Sequence, residues 1–260
     1  MILKKFTCKV AVAFLIVGGI TLITPAADVQ AADSGSLYDK EIQQNPKDVD
    51  AYFHRGLMYS GEDNEKAIAD FSMVIKLEPD KARGYLHRGI AYRNLAQYDK
   101  AVQDFDKAIS LEPQNALNYL NRGTAHYYAK NYDKARADFN STIRKSSGNS
   151  DLDPEVQKML KNLGVNLDYS AQGYYGLALI DYEQKNYQSS LENFNKAIKK
   201  VESSMFYESR AKCYKALGDN AKAQSDLKKA AELKKSEQSK IDNFSDTIME
   251  GLEVEIEDDE

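Results

Sequence analysis

The stretch of residues 98–113, YDKAVQDFDKAISLEP, decides the fold because the chain repeats it in altered form. A related stretch, EKAIADFSMVIKLEP, ends 34 residues before it, and three more variants follow. The central aromatic or leucine of each variant serves as an anchor for alignment, and these anchors are separated by 34, 34, 55 and 33 residues. A period of about 34 residues with one insertion (55 − 34 = 21) predicts a solenoid of stacked repeats. The anchors are Phe71, Phe105, Phe139, Phe194 and Leu227.

Each variant is preceded by a second recurring stretch, such as YLHRGIAY at residues 85–92. An aromatic, a small residue four positions later and usually an aromatic three positions after that lie on one face of a helix. The anchor stretch places Ala101 and Phe105 on another helical face. The LEP endings close this second helix, because the residue before a proline avoids helical geometry. Each unit is therefore predicted to contain two amphipathic helices, which we call the A helix and the B helix.

This pattern resembles the tetratricopeptide repeat, which has an aromatic, Leu-Gly, Tyr, Ala, Phe and Pro at fixed places in 34 residues. The fourth and fifth units are less regular, because Ala178 and Ala211 replace the glycine. The resemblance implies an all-α, right-handed α-solenoid of about five such helix-turn-helix repeats with terminal capping helices. The second unit carries nearly every position of the pattern, namely Tyr85, Gly89, Tyr92, Tyr98, Ala101, Phe105, Ala108 and Pro113.

The remaining segments are assigned from their position relative to the repeats. A lone second helix with Tyr38 at the anchor place is expected to cap the open end of the stack, as solenoids require. Residues 150–170 interrupt the array, and their short helix either keeps the stack continuous or acts as a hinge or docking element. The predicted organisation is a signal peptide at 1–31, a capping helix at 32–48, units 1–3 at 49–149, the inserted helix at 150–170, units 4–5 at 171–237, and a capping helix with an acidic tail at 238–260.

The first residues have the layout of a secretory signal peptide. Three lysines precede an apolar run from Val10 to Thr24, and Val29 and Ala31 occupy the −3 and −1 places of a cleavage site. The apolar run is short for a membrane span, which needs about 20 residues. An exported protein, periplasmic or extracellular, is therefore expected. An uncleaved anchor that holds the chain on the outer side of a membrane is the alternative.

Composition excludes several classes of function. Cleavage after Ala31 would leave 32 basic and 39 acidic residues, a net charge of −7, which does not favour nucleic-acid binding. Only Cys213 would remain, so no disulfide within the chain is expected. His54 and His87 lie on neighbouring helices about 8–10 Å apart, too far to share a metal ion. We find no catalytic set and expect no enzyme activity, no cofactor and no metal.

Charged residues vary together among the units. In four units an arginine precedes the small residue of the A helix and an aspartate precedes the anchor of the B helix, whereas in the fourth unit both change, to Leu177 and Asn193. This covariation predicts ion pairs within a unit or across units, which fix register more than they add stability. A row of arginines that binds an anion is the alternative. The residues are Arg55, Arg88, Arg122 and Arg210 with Asp70, Asp104, Asp138 and Asp226.

The tetratricopeptide resemblance implies that the A helices line a concave groove for an extended or helical peptide. The lining is apolar and aromatic in its middle, which marks a binding surface unless neighbouring segments cover it. The Lys and Asn residues with which chaperone-binding members grip a terminal carboxylate are absent, so we expect an apolar or aromatic ligand segment. The predicted groove residues are Phe53, His54, Leu57, Leu86, His87, Ile90, Arg93, Leu120, Asn121, Thr124, Tyr127, Tyr175, Leu179 and Tyr182.

The expected function is accordingly that of an exported scaffold or assembly factor whose partner is a protein or peptide. The alternatives are a membrane-tethered component of an envelope machine and, less favoured, a solenoid that binds a glycan through its many tyrosines. The sequence leaves the oligomeric state open.

Overall fold

The computed structural model describes residues 13–17, 20–24, 31–146 and 168–257, with side chains for 38–146 and 168–239. Within these ranges a short antiparallel hairpin is followed by helices, and their packing in consecutive pairs confirms the predicted α-solenoid. The elements are β1 (Ala13–Val17), β2 (Ile20–Thr24), α1 (Ala31–Gln44), α2 (Val49–Tyr59), α3 (Asn64–Leu77), α4 (Ala82–Asn94), α5 (Tyr98–Leu111), α6 (Ala116–Tyr128), α7 (Tyr132–Ser146), α8 (Ser170–Glu183), α9 (Tyr187–Lys200), α10 (Ser204–Ala216) and α11 (Asn220–Glu257).

The hairpin lies inside the apolar run that is predicted to be the core of a signal peptide. Val29 of the predicted cleavage site lies outside the described residues, whereas Ala31 begins α1. Among the described residues, no helix combines the length and the apolar character that crossing a membrane requires. Cleavage after Ala31 therefore stays a prediction.

Consecutive helices pack side by side along the whole array. The A and B helices of a unit contact each other, and each B helix contacts the A helix of the next unit. Helix α1 packs against α2 at the start of the array, where Tyr38 is buried. This nearest-neighbour packing buries a row of five core clusters along the described part of the array, as the stacking of repeats in a solenoid requires. The five pairs within units are α2 with α3, α4 with α5, α6 with α7, α8 with α9, and α10 with α11.

The recurring glycine and phenylalanine explain the close approach of the two helices in a unit. The Phe105 ring is fully buried against Gly89, where an added Cβ would lie 2.7 Å from ring atom Cε1. The same contact recurs between Gly56 and Phe71, at 2.8 Å. Real Cβ atoms do not approach so closely, and interiors are packed too tightly to absorb the extra atom. The repeat therefore keeps a small residue opposite each aromatic.

The turn between the A and B helices contains one left-handed residue in every unit. Glycine supplies it in the first and last units, at Gly61 (φ 95°) and Gly218 (φ 81°), at no steric cost. In the middle units Ala96, Lys130 and Lys185 adopt φ values of 56°, 60° and 61°. The packed helices thus hold the same turn geometry even where the sequence has no glycine.

Units 3 and 4 pack directly on each other although the predicted insertion separates them in sequence. An added Cβ at Gly176 of α8 would lie 2.5 Å from Cε2 of Phe139 on α7, and Leu177 and Ile180 share the core of Phe139. Helix α8 therefore takes the place of the next A helix in the stack. The extra helix predicted within residues 150–170 lies outside the described residues. The structure describes positions 168–170 of this range, and Ser170 already begins α8.

The last helix differs from the predicted organisation. Instead of ending near residue 237 before a separate capping helix, α11 runs without a break from Asn220 to Glu257. The reason is local, because neither proline nor glycine occurs between Asn220 and Gly251, so nothing in that stretch ends the helix. Since no further A helix packs on α11 among the described residues, its anchor Leu227 stays 39% exposed.

Candidate binding site

Four arginines on A helices form bidentate ion pairs with aspartates on the B helices of the same unit. In each pair Nε and Nη2 of the arginine donate to the two carboxylate oxygens over 2.6–2.9 Å. The aspartates are buried, and hydrogen bonding to Asp138, for example, raises the pKa of Arg122. Parallel bonds of this kind fix geometry strongly. The pairs are Arg55–Asp70, Arg88–Asp104, Arg122–Asp138 and Arg210–Asp226.

The same arginines also reach the preceding B helix. The third nitrogen, Nη1, donates to the side chain that follows the anchor aromatic of that helix; for Arg122 the acceptor is Asp106 at 2.6 Å. Each arginine therefore contacts the helices before and after its own. The covarying arginine–aspartate pair lies within the unit, and the contact to the preceding helix goes to a different side chain. Because these donors are directed at the chain's own side chains, they are poorly available to an external anion. The other acceptors are Asp39, Ser72 and Asn195.

The fourth unit replaces this pair by one of opposite polarity, which the sequence patterns did not reveal. Asp181 on α8 is buried and accepts hydrogen bonds from Arg136 of the preceding B helix and from Ser189 and Asn193 of its own B helix, at 2.7, 2.7 and 2.9 Å. The carboxylate now lies on the A helix and the donors on the B helices. The change of Arg and Asp to Leu177 and Asn193 was the available signal, because Asn193 is one of the new donors.

The structure separates the predicted groove residues into core and surface. Leu57 and Leu86 are 2% and 7% exposed and pack inside the core, so they present almost no surface to a ligand. Asn121 is also buried. Leu57 and Leu86 share core clusters with Ala91 and Ala125 of the next A helix, which covers them. The half-buried positions are Phe53, His54, His87, Ile90, Arg93, Leu120, Thr124, Tyr127, Tyr175, Leu179 and Tyr182.

The two predicted groove histidines serve the packing between units. His87 lies between the rings of Phe53 and Phe71, with ring centroids 5.1 and 5.5 Å away, and burial lowers the pKa of His87 to about 4. His54 stacks on Tyr38 of the first helix at 5.9 Å. A neutral, enclosed imidazole at His87 offers no charge to a ligand near pH 7.

The cation of Arg93 is arranged differently from the four arginines that pair with aspartates of the B helices. Its Nη1 donates to Oδ1 of Asn121 at 2.7 Å, and Nδ2 of Asn121 donates to the Leu117 carbonyl oxygen at 2.9 Å. Within the described residues Arg93 has no carboxylate partner. Desolvation lowers the pKa of Arg93, in contrast to the raised pKa of Arg122.

Tyrosines form a cluster beside Arg93 that includes one residue absent from the predicted set. Tyr128 is 56% exposed and stacks on Tyr98 at a centroid distance of 6.1 Å, while its other neighbour, Tyr127, meets it edge-on at 5.4 Å. Tyr132 packs against Tyr127 at 5.9 Å. The double tyrosine in HYYAKNY was the sequence signal for this exposed ring.

The neighbouring unit continues the half-buried aromatic surface. The Tyr175 ring stacks on Phe206 at 4.9 Å, and its hydroxyl lies 3.1 Å from the hydroxyl of Ser209. Tyr182 packs against Tyr187 at 5.6 Å. Burial raises the pKa of both Tyr127 and Tyr175, so these phenols stay neutral in the physiological range. The phenols of the surface are thus neutral, Arg93 supplies a cation near Tyr128, and the carboxylates of Glu183 and Glu208 lie close enough to Tyr127 and Tyr175 to add to their raised pKa.

Over the part of the chain whose placement is described, no group of three His, Cys, Asp or Glu side chains is arranged to hold a metal ion. The Cys213 thiol is buried and donates to the Tyr187 carbonyl oxygen at 3.2 Å, and burial raises its pKa. A thiol with a raised pKa is a poor nucleophile. The site offers surface and hydrogen bonds for binding, and the enclosed Cys213 thiol contributes to the packing of the last two units.

Family models match two parts of the chain. Residues 82–115 and residues 206–237 each match a tetratricopeptide repeat model, and these stretches are the second and fifth units described above. A comparison with curated proteins finds no significant match. The two repeats and the stacked helices support a tetratricopeptide repeat protein.

Solved structures with the same fold include several bacterial proteins. A tetratricopeptide repeat protein from Parabacteroides merdae is 19% identical with a TM-score of 0.60, covering 78% of this chain and 73% of that one. PilW, a type IV pilus biogenesis factor, is 18% identical with a TM-score of 0.59, covering 75% and 82%. MamA of Desulfovibrio magneticus is 20% identical with a TM-score of 0.52, covering 78% and 97%. At these identities the likeness concerns the fold alone.

Proposed function

We propose that this chain is an exported, non-enzymatic scaffold whose A helices bind a peptide segment of a partner protein. The observation that carries the proposal is the half-buried aromatic surface of α6 and α8, which ends in the exposed ring of Tyr128. Aromatic side chains anchor many protein interfaces, because they contribute large contact areas at low entropic cost. Tetratricopeptide repeats generally mediate such interactions, which agrees with this use of the surface.

The surface favours a ligand segment with apolar or aromatic side chains. Thr124, Tyr127 and Tyr175 offer uncharged contacts, with hydroxyl groups for a few hydrogen bonds. Leu57 and Leu86 lie in the core, so the peptide is proposed to contact the half-buried positions and the exposed Tyr128 instead. Substituting a core leucine would unfold the unit and would not test binding.

Replacing Tyr128 with serine tests the binding surface, because this ring is more than half exposed and contributes little to the core. Peptides are first selected on the full chain from a phage-displayed random library, and their Kd values are measured by fluorescence anisotropy. We expect Tyr128→Ser to weaken the selected peptides about ten-fold or more, the usual effect of removing an aromatic anchor. The circular dichroism spectrum should not change.

Leu217→Ser is the matched control, because Leu217 is also exposed, at 49%, but lies in the turn of the last unit. We expect this variant to bind the selected peptides as the unaltered chain does. Equal Kd values for the unaltered chain and Tyr128→Ser would remove the α6 surface from consideration. A glycan ligand, the less favoured alternative, would instead show as array binding that Tyr127→Ala abolishes.

Export is proposed from the sequence of the first 31 residues. We expect mass spectrometry of the protein from its native cells to find a mature amino terminus at Ala32 in the exported fraction. The processed chain would carry a net charge of −7, from 35 − 3 = 32 basic and 40 − 1 = 39 acidic residues. An intact Met1 in the membrane fraction would contradict cleavage and would favour the membrane-tethered alternative.

A further inference from the structure

A sheltered arginine without a carboxylate partner lies in the middle of the proposed binding surface. Six of the eight arginines of the chain pair with a carboxylate among the described residues, and Arg144 is exposed. Arg93 is half-buried, yet its only hydrogen bond within that part of the chain goes to a neutral amide. Sheltering a cation is costly unless a counter-charge compensates it. The remaining donors of Arg93 thus lack the partner that the other sheltered arginines have.

Asn121 holds this cation in place. Its Nδ2 is fixed by the Leu117 carbonyl oxygen of its own helix, so its Oδ1 points to Nη1 of Arg93 at 2.7 Å. A guanidinium has five N–H donors, and this contact uses one. Arg93 is half-buried, and none of its nitrogens is among the fully buried polar atoms that lack a partner, so the unused donors are not sealed inside the core. Asn121 is therefore a positioning residue, and Arg93 can contact a ligand.

We propose that Arg93, positioned by Asn121, binds a carboxylate of the peptide ligand, with the adjoining residue of the peptide against Tyr128. A carboxylate fits this place because it accepts two parallel hydrogen bonds from one guanidinium. The exposed Tyr128 ring beside the cation fits an apolar or aromatic neighbour of that carboxylate. This inference rests on the proposed function, and it modifies the expectation from the sequence, which excluded recognition of an acidic terminus because the family's clamp residues are absent.

A fragment titration tests the subsite without requiring any peptide. The probe is 3-phenylpropionate, and its neutral analogue is 3-phenylpropionamide. Both are titrated into the full chain while the arginine Nε–H resonances are followed by NMR. We expect the Arg93 resonance to shift with the carboxylate and not with the amide. The Arg83 resonance should not shift, because Glu78 and Asp50 already occupy that guanidinium. Equal responses of Arg93 to both probes, or none to either, would overturn the proposal.

A peptide selection tests the same subsite at the level of the ligand. Libraries are selected on the full chain and on Arg93→Met, which keeps the length of the side chain. We expect peptides from the unaltered chain to carry a carboxylate at one fixed place next to an apolar or aromatic residue. Their affinity should fall about 10- to 100-fold on Arg93→Met, the effect of losing hydrogen bonds to a charged group. Arg83→Met is the control and should leave the affinity unchanged.

The outcomes separate the subsite from the proposed function. Selected peptides that bind the unaltered chain without a fixed carboxylate would overturn the subsite and leave peptide binding intact. An absence of any binding peptide would contradict peptide binding, while the fragment titration would still decide the subsite. Amidated and Glu→Gln versions of the selected peptides distinguish a terminal from a side-chain carboxylate. Unfolding by urea should show that Arg93→Met is at least as stable as the unaltered chain, since a desolvated charge is removed.

Discussion

Replacing Phe105 with alanine is expected to lower the free energy of unfolding by about 3–5 kcal/mol, the range for a fully buried phenylalanine. The ring is 0% exposed and fills the space that Gly89 leaves open between α4 and α5. The surrounding helices cannot collapse into the cavity, because the ion pair of Arg88 with Asp104 holds their separation. The measurement is equilibrium unfolding in urea.

The equivalent residue of the last unit provides a matched control. Leu227 occupies the same place in the repeat, but it is 39% exposed because no further A helix packs on α11 within the described residues. Leu227→Ala is therefore expected to cost less than about 1 kcal/mol, as surface substitutions do. If the two substitutions had similar costs, the anchors would not act through the stacking of successive units, contrary to the nearest-neighbour model of a solenoid.

Much of the fold could be predicted because the same residue contacts recur in several repeats of the sequence. Gly56 opposite Phe71 and Gly89 opposite Phe105 indicate one contact, and its recurrence at a fixed period identifies it as structural. The arginine–aspartate pairs were predictable for the same reason, since both partners change together in the fourth unit. The predicted contact within a unit and the contact to the preceding B helix are both present.

The site was less predictable, because exposure depends on what the neighbouring unit places over each residue. Leu86 and Ile90 lie one helical turn apart on α4, yet the first is in the core and the second is half-buried. Asp181 was missed because its donors, Arg136 and Asn193, lie 45 and 12 residues away, at positions with no equivalent role in other units. Tyr128 was missed because the repeat pattern specifies packed residues and is silent about exposed ones.

Replacing Arg136 with methionine is expected to lower the free energy of unfolding by about 3 kcal/mol, the low end for breaking a buried pair. The side chain of Asp181 is 3% exposed, so it cannot turn to water when its cationic partner is removed, and only Ser189 and Asn193 remain as donors. Urea unfolding measures the lost free energy of unfolding. Adding Asp181→Asn to Arg136→Met should restore at least half of it, because the buried charge without a cationic partner is then removed.

Arg83→Met is the control for Arg136→Met. It separates the effect of leaving a buried carboxylate without its cationic partner from the effect of losing an arginine. Arg83 and Arg136 have the same side-chain exposure, 36%, but the partners of Arg83 reach water, since Asp50 is 70% and Glu78 is 31% exposed. The cost of Arg83→Met should therefore stay below about 1 kcal/mol, as for exposed ion pairs. Equal costs for the two arginines would mean that the burial of Asp181 is not what makes this pair important. The fourth unit would then owe its place in the stack to the apolar packing of Gly176, Leu177 and Ile180 on Phe139.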